Sequence, residues 1–125
     1  PVLEEYSSGP AIVRRYTESG GKADKAQDVF RAARTNDQSA IEILVSAAES
    51  LGVSVAFLVN VLDPHAVIVG GGLGSARGIY FDRFVTSTRG HIWSETNRDL
   101  PILQSHLGAD AGMVGAATRA YLEFA

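Results

Sequence analysis

No cysteine occurs among the 125 residues, which excludes disulfides and any cysteine-ligated metal site within this chain. That absence fits a reducing compartment. Charge imbalance is small too: 11 basic and 14 acidic residues give a formal net charge of -3, spread without long runs, so no nucleic-acid or membrane surface is marked out. The opening PVLEEYSSG has neither the basic n-region nor the apolar h-region of a secretory signal, and the expected location is the cytoplasm. It also lacks an initiator methionine, so the chain is expected to be part of a longer protein. Long apolar runs are missing as well, since the apolar stretch before Asp63-Pro64 is about 12 residues and a membrane span needs roughly 20. What is present is 46% hydrophobic with mean hydropathy +0.06, enough for one core and one domain over residues 1–125.

The stretch from Ser50 to Gly74, SLGVSVAFLVNVLDPHAVIVGGGLG, organises the rest. Leu51, Val55, Phe57, Leu58, Val59, Val61 and Leu62 leave almost no polar face, with only Ser54 and Asn60 interrupting, and a helix apolar nearly all round is expected to be buried. Asp63-Pro64 stops it. Ala66-Val67-Ile68-Val69 then reads as a short, central strand covered on both faces. It ends in Gly70-Gly71-Gly72-Leu73-Gly74, where bare backbone permits positive φ and close approach of a ligand at the carboxyl end of a strand.

Helices account for most of the remainder. Ser8 is placed to cap a helix with Pro10 in its first turn and an apolar stripe of Ala11, Ile12, Val13 and Tyr16, ending at Gly20-Gly21. Asp24 is expected to cap a second, Lys25 to Arg34, on the spacing of Ala26, Val29, Phe30 and Ala33. A third should start near Asp37 and run about 25 residues to Leu62, long enough to cross a domain. Beyond the glycines, Gly78 to Thr88 reads as helix, and Arg89 to Asp99 as an aperiodic segment with Trp93 as its one large apolar anchor. Leu100 to Ser105 reads as a second strand, with Pro101 near its start. A turn at Leu107 to Asp110 follows, Asp110 capping a last helix, Ala111 to Phe124. Its Gly112, Gly115, Ala116 and Ala117 would let another helix or a ligand approach closely. Two strands make no stable sheet unaided, so the chain is expected to supply one edge of a larger α/β sheet or to pair with a second copy.

Several chemical motifs fail. Gly74-Ser75-Ala76-Arg77 lacks the Gly-Lys-Ser/Thr ending of a phosphate loop, and Ser75 or Arg77 replaces the third glycine of a dinucleotide fingerprint. His65, His91 and His106 are too far apart for a local metal motif. Ser7-Ser8 has no nucleophile-elbow context. Glu4-Glu5 could offer a base, although adjacent acids in a polar opening are usually solvated. From the residues alone there is a ligand-approach loop and no catalytic apparatus.

The strings LGVSVAFLVNVLDPHAVIVGGGL and LGADAGMVGAA, with the opening VLEEYSSGPAI, resemble the C-terminal part of the ROK family of bacterial sugar kinases and sugar-responsive repressors. The resemblance covers nearly the whole chain, with three motifs in order. It implies an α/β chain, helix-rich with a short β segment, forming the C-terminal part of an actin-like (ribonuclease H-like) ATPase fold. On matching positions, Glu4 falls where the family has a glutamate bonding sugar hydroxyls, and Gly70, Gly71, Gly72 and Leu73 where a loop lies beside the adenosine of ATP. The helix from Ala111 matches one that connects two lobes. Pro1-Val2 stands where the family has Gly-Cys, which puts the structural zinc in doubt. The resemblance assigns no catalytic residue and no metal ligand here, since the phosphate loops and the catalytic Asp precede the matched part. It implies ATP with Mg in the intact protein, sugar and nucleotide as partners, a homo-oligomer, no membrane, and DNA only where a helix-turn-helix lies upstream. Two functions follow: part of a glucose-type sugar kinase, or the effector region of a repressor.

Overall fold

A computed structural model describes residues 2–74 and 77–124. Pro1, part of the Gly-Cys departure, and Ser75 and Ala76, part of the failed phosphate-loop comparison, lie outside the described residues. The order of elements is α1 (Leu3–Ser7), α2 (Gly9–Glu18), α3 (Ala26–Arg34), α4 (Gln38–Leu62), β1 (Val67–Val69), a helical turn α5 (Gly71–Gly74), α6 (Ile79–Gly90), α7 (Glu95–Arg98), β2 (Ile102–Gln104), a 3-10 turn (Gly108–Asp110) and α8 (Ala111–Phe124).

The long helix α4 is the spine. Asp37 starts it, its carboxylate accepting from the Ala40 amide at 2.9 Å and from the Tyr16 hydroxyl at 2.8 Å. The Ala40 amide first, then the Tyr16 hydroxyl, hold Asp37 below the usual carboxylate range, and the same bond to Asp37 pushes the Tyr16 hydroxyl up. Ala40, Leu44, Ala47, Ala48, Gly52 and Ala56 form its buried face, against which α1, α2, α3 and α6 pack. Small residues here let neighbours approach closely. A methyl at Gly52 would stand 2.6 Å from Ser87 Cβ and 2.9 Å from the Phe84 carbonyl. Phe84, Ile12, Leu44, Ile92 and Val29 are the large side chains sealed inside this contact.

β1 and β2 pair in parallel, Val67 opposite Ile102 and Val69 opposite Gln104, with α6 carrying the chain between them. Alternation sends Ile102 inward, with Val67 and Val69 packed against the core, while Ile68 is 72% exposed. The strand is therefore covered on one face and not on two, because no described element lies over Ile68.

Four further expectations are corrected. The C-terminal turns of α4 are buried on one face only: Ala56 and Val59 are sealed in the core as expected, whereas Phe57 is 59% and Leu62 69% exposed, since the packed partners lie along that one face. The length argument against a membrane span does not hold, because α4 is one continuous helix of 25 residues, long and apolar enough to cross a bilayer by length and composition alone; a packed core helix meets the same description, and one face of α4 is packed in the core. Asp24 does not cap α3. The Asp28 carboxylate reaches back to the amides of Asp24 and Lys25, both at 3.2 Å, and the helix starts after Lys25. Trp93 is no anchor at 77% exposure; Ile92 is, at 1%. Asn60 causes the exchange, donating to the His91 carbonyl and accepting from the Trp93 amide, each at 3.0 Å, which turns the residue between them inward.

α8 follows the 3-10 turn that contains Asp110 and buries no residue. Methyl groups at Gly112 and Gly115 would meet nothing within 4 Å among the described residues, so its small side chains accommodate no neighbour of this chain.

G52A should cost about 1–3 kcal/mol by overpacking the α4–α6 crossing; urea unfolding showing no loss would contradict that contact. Asp37 titrates lower folded than unfolded, so its stabilisation is complete above the ordinary carboxylate pKa and fades as pH falls through the lowered value. D37A should accordingly flatten the acid limb of a stability profile taken between about pH 6 and pH 2.

Candidate functional site

Glu4 sits on α1, a single helical turn too short to hold itself in place. Two long-range contacts fix it. The buried Ser7 hydroxyl donates to the Ala47 carbonyl of α4 at 3.0 Å. From α2, Arg15 lies over the Tyr6 ring, 3.9 Å from its centroid, and donates to the Tyr6 carbonyl, the Tyr6 hydroxyl and the Ser46 hydroxyl at 3.2, 3.2 and 2.6 Å. The turn is thereby locked against α2 and α4, and the exposed Glu4 carboxylate is carried at its outer edge.

The glycine run is a helical turn and not an open loop. Gly71 begins α5 at φ 79°, a left-handed conformation that side chains rarely adopt, so β1 can pass straight into the turn. Gly70 packs beside Ser105 at the end of β2, where a methyl would be 3.8 Å from its Cβ.

Two cavities open on either side of this turn. One, of about 480 Å³, is lined by Leu3, Glu4 and Ser7 of α1, Leu51 and Val55 of α4, β1, Gly70, Leu73, and Tyr80 and Phe84 of α6. The other, of about 920 Å³, lies between α2, α3 and the turn, with Val13, Phe30, Gly72 and Leu73 as its apolar wall and Arg14, Lys25, Arg31 and Arg34 around it. Leu73 borders both. Of the residues singled out in the sequence, Glu4, Gly70 and Leu73 thus share one cavity, Gly72 lines the other, and Gly71 lines neither.

Sequence reading missed Arg15, Tyr6, Ser7 and Tyr80. Their signals lie in contacts between elements distant along the chain, which periodicity does not register. Tyr80 is 3% exposed, and its hydroxyl has no hydrogen-bond partner among the described residues; burial pushes its pKa up. Among the described residues no group of three His, Asp or Glu side chains is close enough to hold a metal ion.

The described pattern of helices around a parallel pair, with a glycine turn after its first strand, has known counterparts. Residues 2–121 match the ROK family. The chain belongs to that family. A bifunctional enzyme NanE/NanK from Brucella melitensis is 37% identical over 123 residues, 98% of this chain and 23% of that protein. The crystal structure of a ROK hexokinase from Thermus thermophilus aligns with TM-score 0.82 and 31% identity over 97% of this chain and 40% of its own. A ROK glucokinase from Streptomyces griseus, solved with glucose and AMPPNP, aligns at 0.81 and 30% identity over 96% of this chain and 44% of its own. The ROK chain described here spans less than half the length of each. Its fold is the C-terminal part of the actin-like ATPase fold of these sugar kinases.

Y80F removes a hydroxyl buried without a partner among the described residues and should raise stability by about 1 kcal/mol. A lower melting temperature for Y80F would show that the hydroxyl is satisfied in solution.

Proposed function

We propose that this chain is the C-terminal sugar- and nucleotide-binding region of an ATP-dependent, glucose-type ROK sugar kinase. The observation that carries the reading is the shared cavity. Glu4, matched to a sugar-hydroxyl ligand, and Gly70 and Leu73, matched to the adenosine loop, line one opening, and Leu73 continues into the second.

In this reading Glu4 accepts hydrogen bonds from sugar hydroxyls, held at the cavity edge by the Ser7 and Arg15 contacts. An ionised carboxylate is acceptor-only and suits a polyol. The nucleotide lies along Gly72 and Leu73 on the far side of the turn. The residues present fit it: the larger cavity has an apolar wall for a base and four cationic side chains for phosphates. Bound ATP supplies the transferable phosphoryl group, with Mg accompanying its phosphates. This chain's part is positioning, which dominates catalysis of phosphoryl transfer. We assign the catalytic Asp and the phosphate loops to other parts of the full-length protein, a cytoplasmic homo-oligomer. The kinase reading is preferred to a sugar-responsive repressor because a hexokinase and a glucokinase align over nearly the whole chain.

The purified 125-residue chain should therefore give no ATP-dependent phosphorylation of glucose, and steady turnover would contradict the assignment. In the full-length protein, Glu4→Gln should weaken sugar binding by about tenfold or more, the scale of a lost charge-assisted bond, and leave ATP binding within about twofold. Equal losses for both ligands in calorimetric titrations would remove Glu4 from the sugar site.

A further inference from the structure

The short helix α1 ends in carbonyls that its own ladder leaves unpaired. The Ser8 amide donates to the Glu4 carbonyl, and the next two carbonyls are met by consecutive arginines of α2: Glu5 by Arg14 at 2.5 Å and Tyr6 by Arg15 at 3.2 Å. Basic side chains close helix ends in this way, and here both come from a different helix.

The two arginines are not equivalent. Arg15 is half-buried and engages its guanidinium within the chain, on the Tyr6 ring, the Tyr6 hydroxyl and Ser46 of α4. Arg14 is exposed and has the Glu5 carbonyl as its hydrogen-bond partner among the described residues. It also lines the larger cavity, one helical turn beyond Pro10. A guanidinium is a rigid fork of N–H donors, so one edge can hold a carbonyl while the rest face the cavity.

Glu5 follows Glu4, which lines the smaller cavity. Among the described side chains bordering the larger cavity, Arg14 alone is hydrogen-bonded to the turn that carries Glu4. A cation that serves only an anion needs no partner in that turn. Arg14 has one, so its position and that of Glu4 are set together.

We propose that Arg14 is a positioning residue that ties the two cavities: by holding the Glu5 carbonyl from the wall of the larger one, it sets where the Glu4 turn stands relative to the phosphate end of a nucleotide. The proposal rests on the reading that places sugar at Glu4 and nucleotide in the larger cavity. It goes beyond that reading by giving one cation a part in aligning the two reactants, separate from affinity for either. Alignment is where phosphoryl transfer is most sensitive, since a displacement of about 1 Å can cost on the order of a hundredfold in rate.

The test is steady-state kinetics of the full-length protein with glucose and ATP as varied substrates. R14M keeps an unbranched stem and removes every donor. It should lower kcat by about tenfold or more and move each KM by less than about threefold, because the Ser7 and Arg15 contacts still hold α1. R14K keeps a donor for the carbonyl and should recover at least about threefold of the lost kcat. K25M is the comparison: it takes a charge from the same cavity and no bond from α1, and should act mainly on the KM for ATP. If R14M behaves like K25M, with a raised KM for ATP and kcat unchanged, Arg14 is one more phosphate ligand and the proposal is overturned. Kinetics of R14M equal to those of the wild type overturn it as well. A wild-type protein that does not phosphorylate glucose would overturn the underlying reading, and the proposal with it. Arg14 is exposed, so R14M should melt with the wild type, and a loss of kcat at unchanged Tm separates misalignment from unfolding.

Discussion

At Gly52 the backbone of α4 meets Ser87 and Phe84 of α6 with no room for a methyl group, and the rest of the structure depends on that closeness. A helix pair crossing on alanine and glycine brings its flanking side chains deep into one another, so Phe84, Leu44 and Ile92 seal a core in a chain with only two three-residue strands. The strands owe their order to this crossing. β1 leaves α4 through the left-handed Asp63, whose carboxylate accepts from Asn97 at 2.6 Å, and α6 returns the chain to pair β2 alongside it.

The same spine sets the candidate site. Ala47 of α4 receives the Ser7 bond that fixes α1, and α6 presents Tyr80 behind Phe30. The glycine turn stands between these supports, at the end of a strand whose inner face is committed to the core. Its two sides are chemically different. Toward α1 the lining is mostly apolar with a carboxylate at its edge, and toward α3 it is apolar with cations around it. On the proposed reading, one turn can therefore place a polyol on one side and a polyanion on the other.

Local patterns in the sequence carried the elements well. Ser8 caps the helix expected of it, α4 starts beside Asp37 and runs to Leu62 before Asp63-Pro64 as expected, and β1 and β2 lie within their expected segments. The errors have a common cause: exposure depends on what lies across the chain. Phe57 and Trp93 are large and apolar, which predicts burial, yet the first lies off the packed face of α4 and the second is turned outward by Asn60. Asp24 lost its cap to Asp28 because two backbone amides outcompete one local turn. The glycines stand out from the residues alone as a ligand-approach loop, but their nucleotide role and the sugar role of Glu4 come only from family resemblance, since a carboxylate in a polar opening carries no periodic signal. Arg15 and its hold on Tyr6 were invisible for the same reason, being a contact between elements.

The division of the site by the glycine turn is tested most directly by hydrogen exchange of the full-length protein, measured with nucleotide alone and with sugar alone. Nucleotide should slow exchange in α3 and in residues 70–74 and leave α1 unchanged, while sugar should slow α1 and leave α3 unchanged. Protection of α1 by nucleotide alone, or of α3 by sugar alone, would contradict a turn that keeps the two ligands on separate sides.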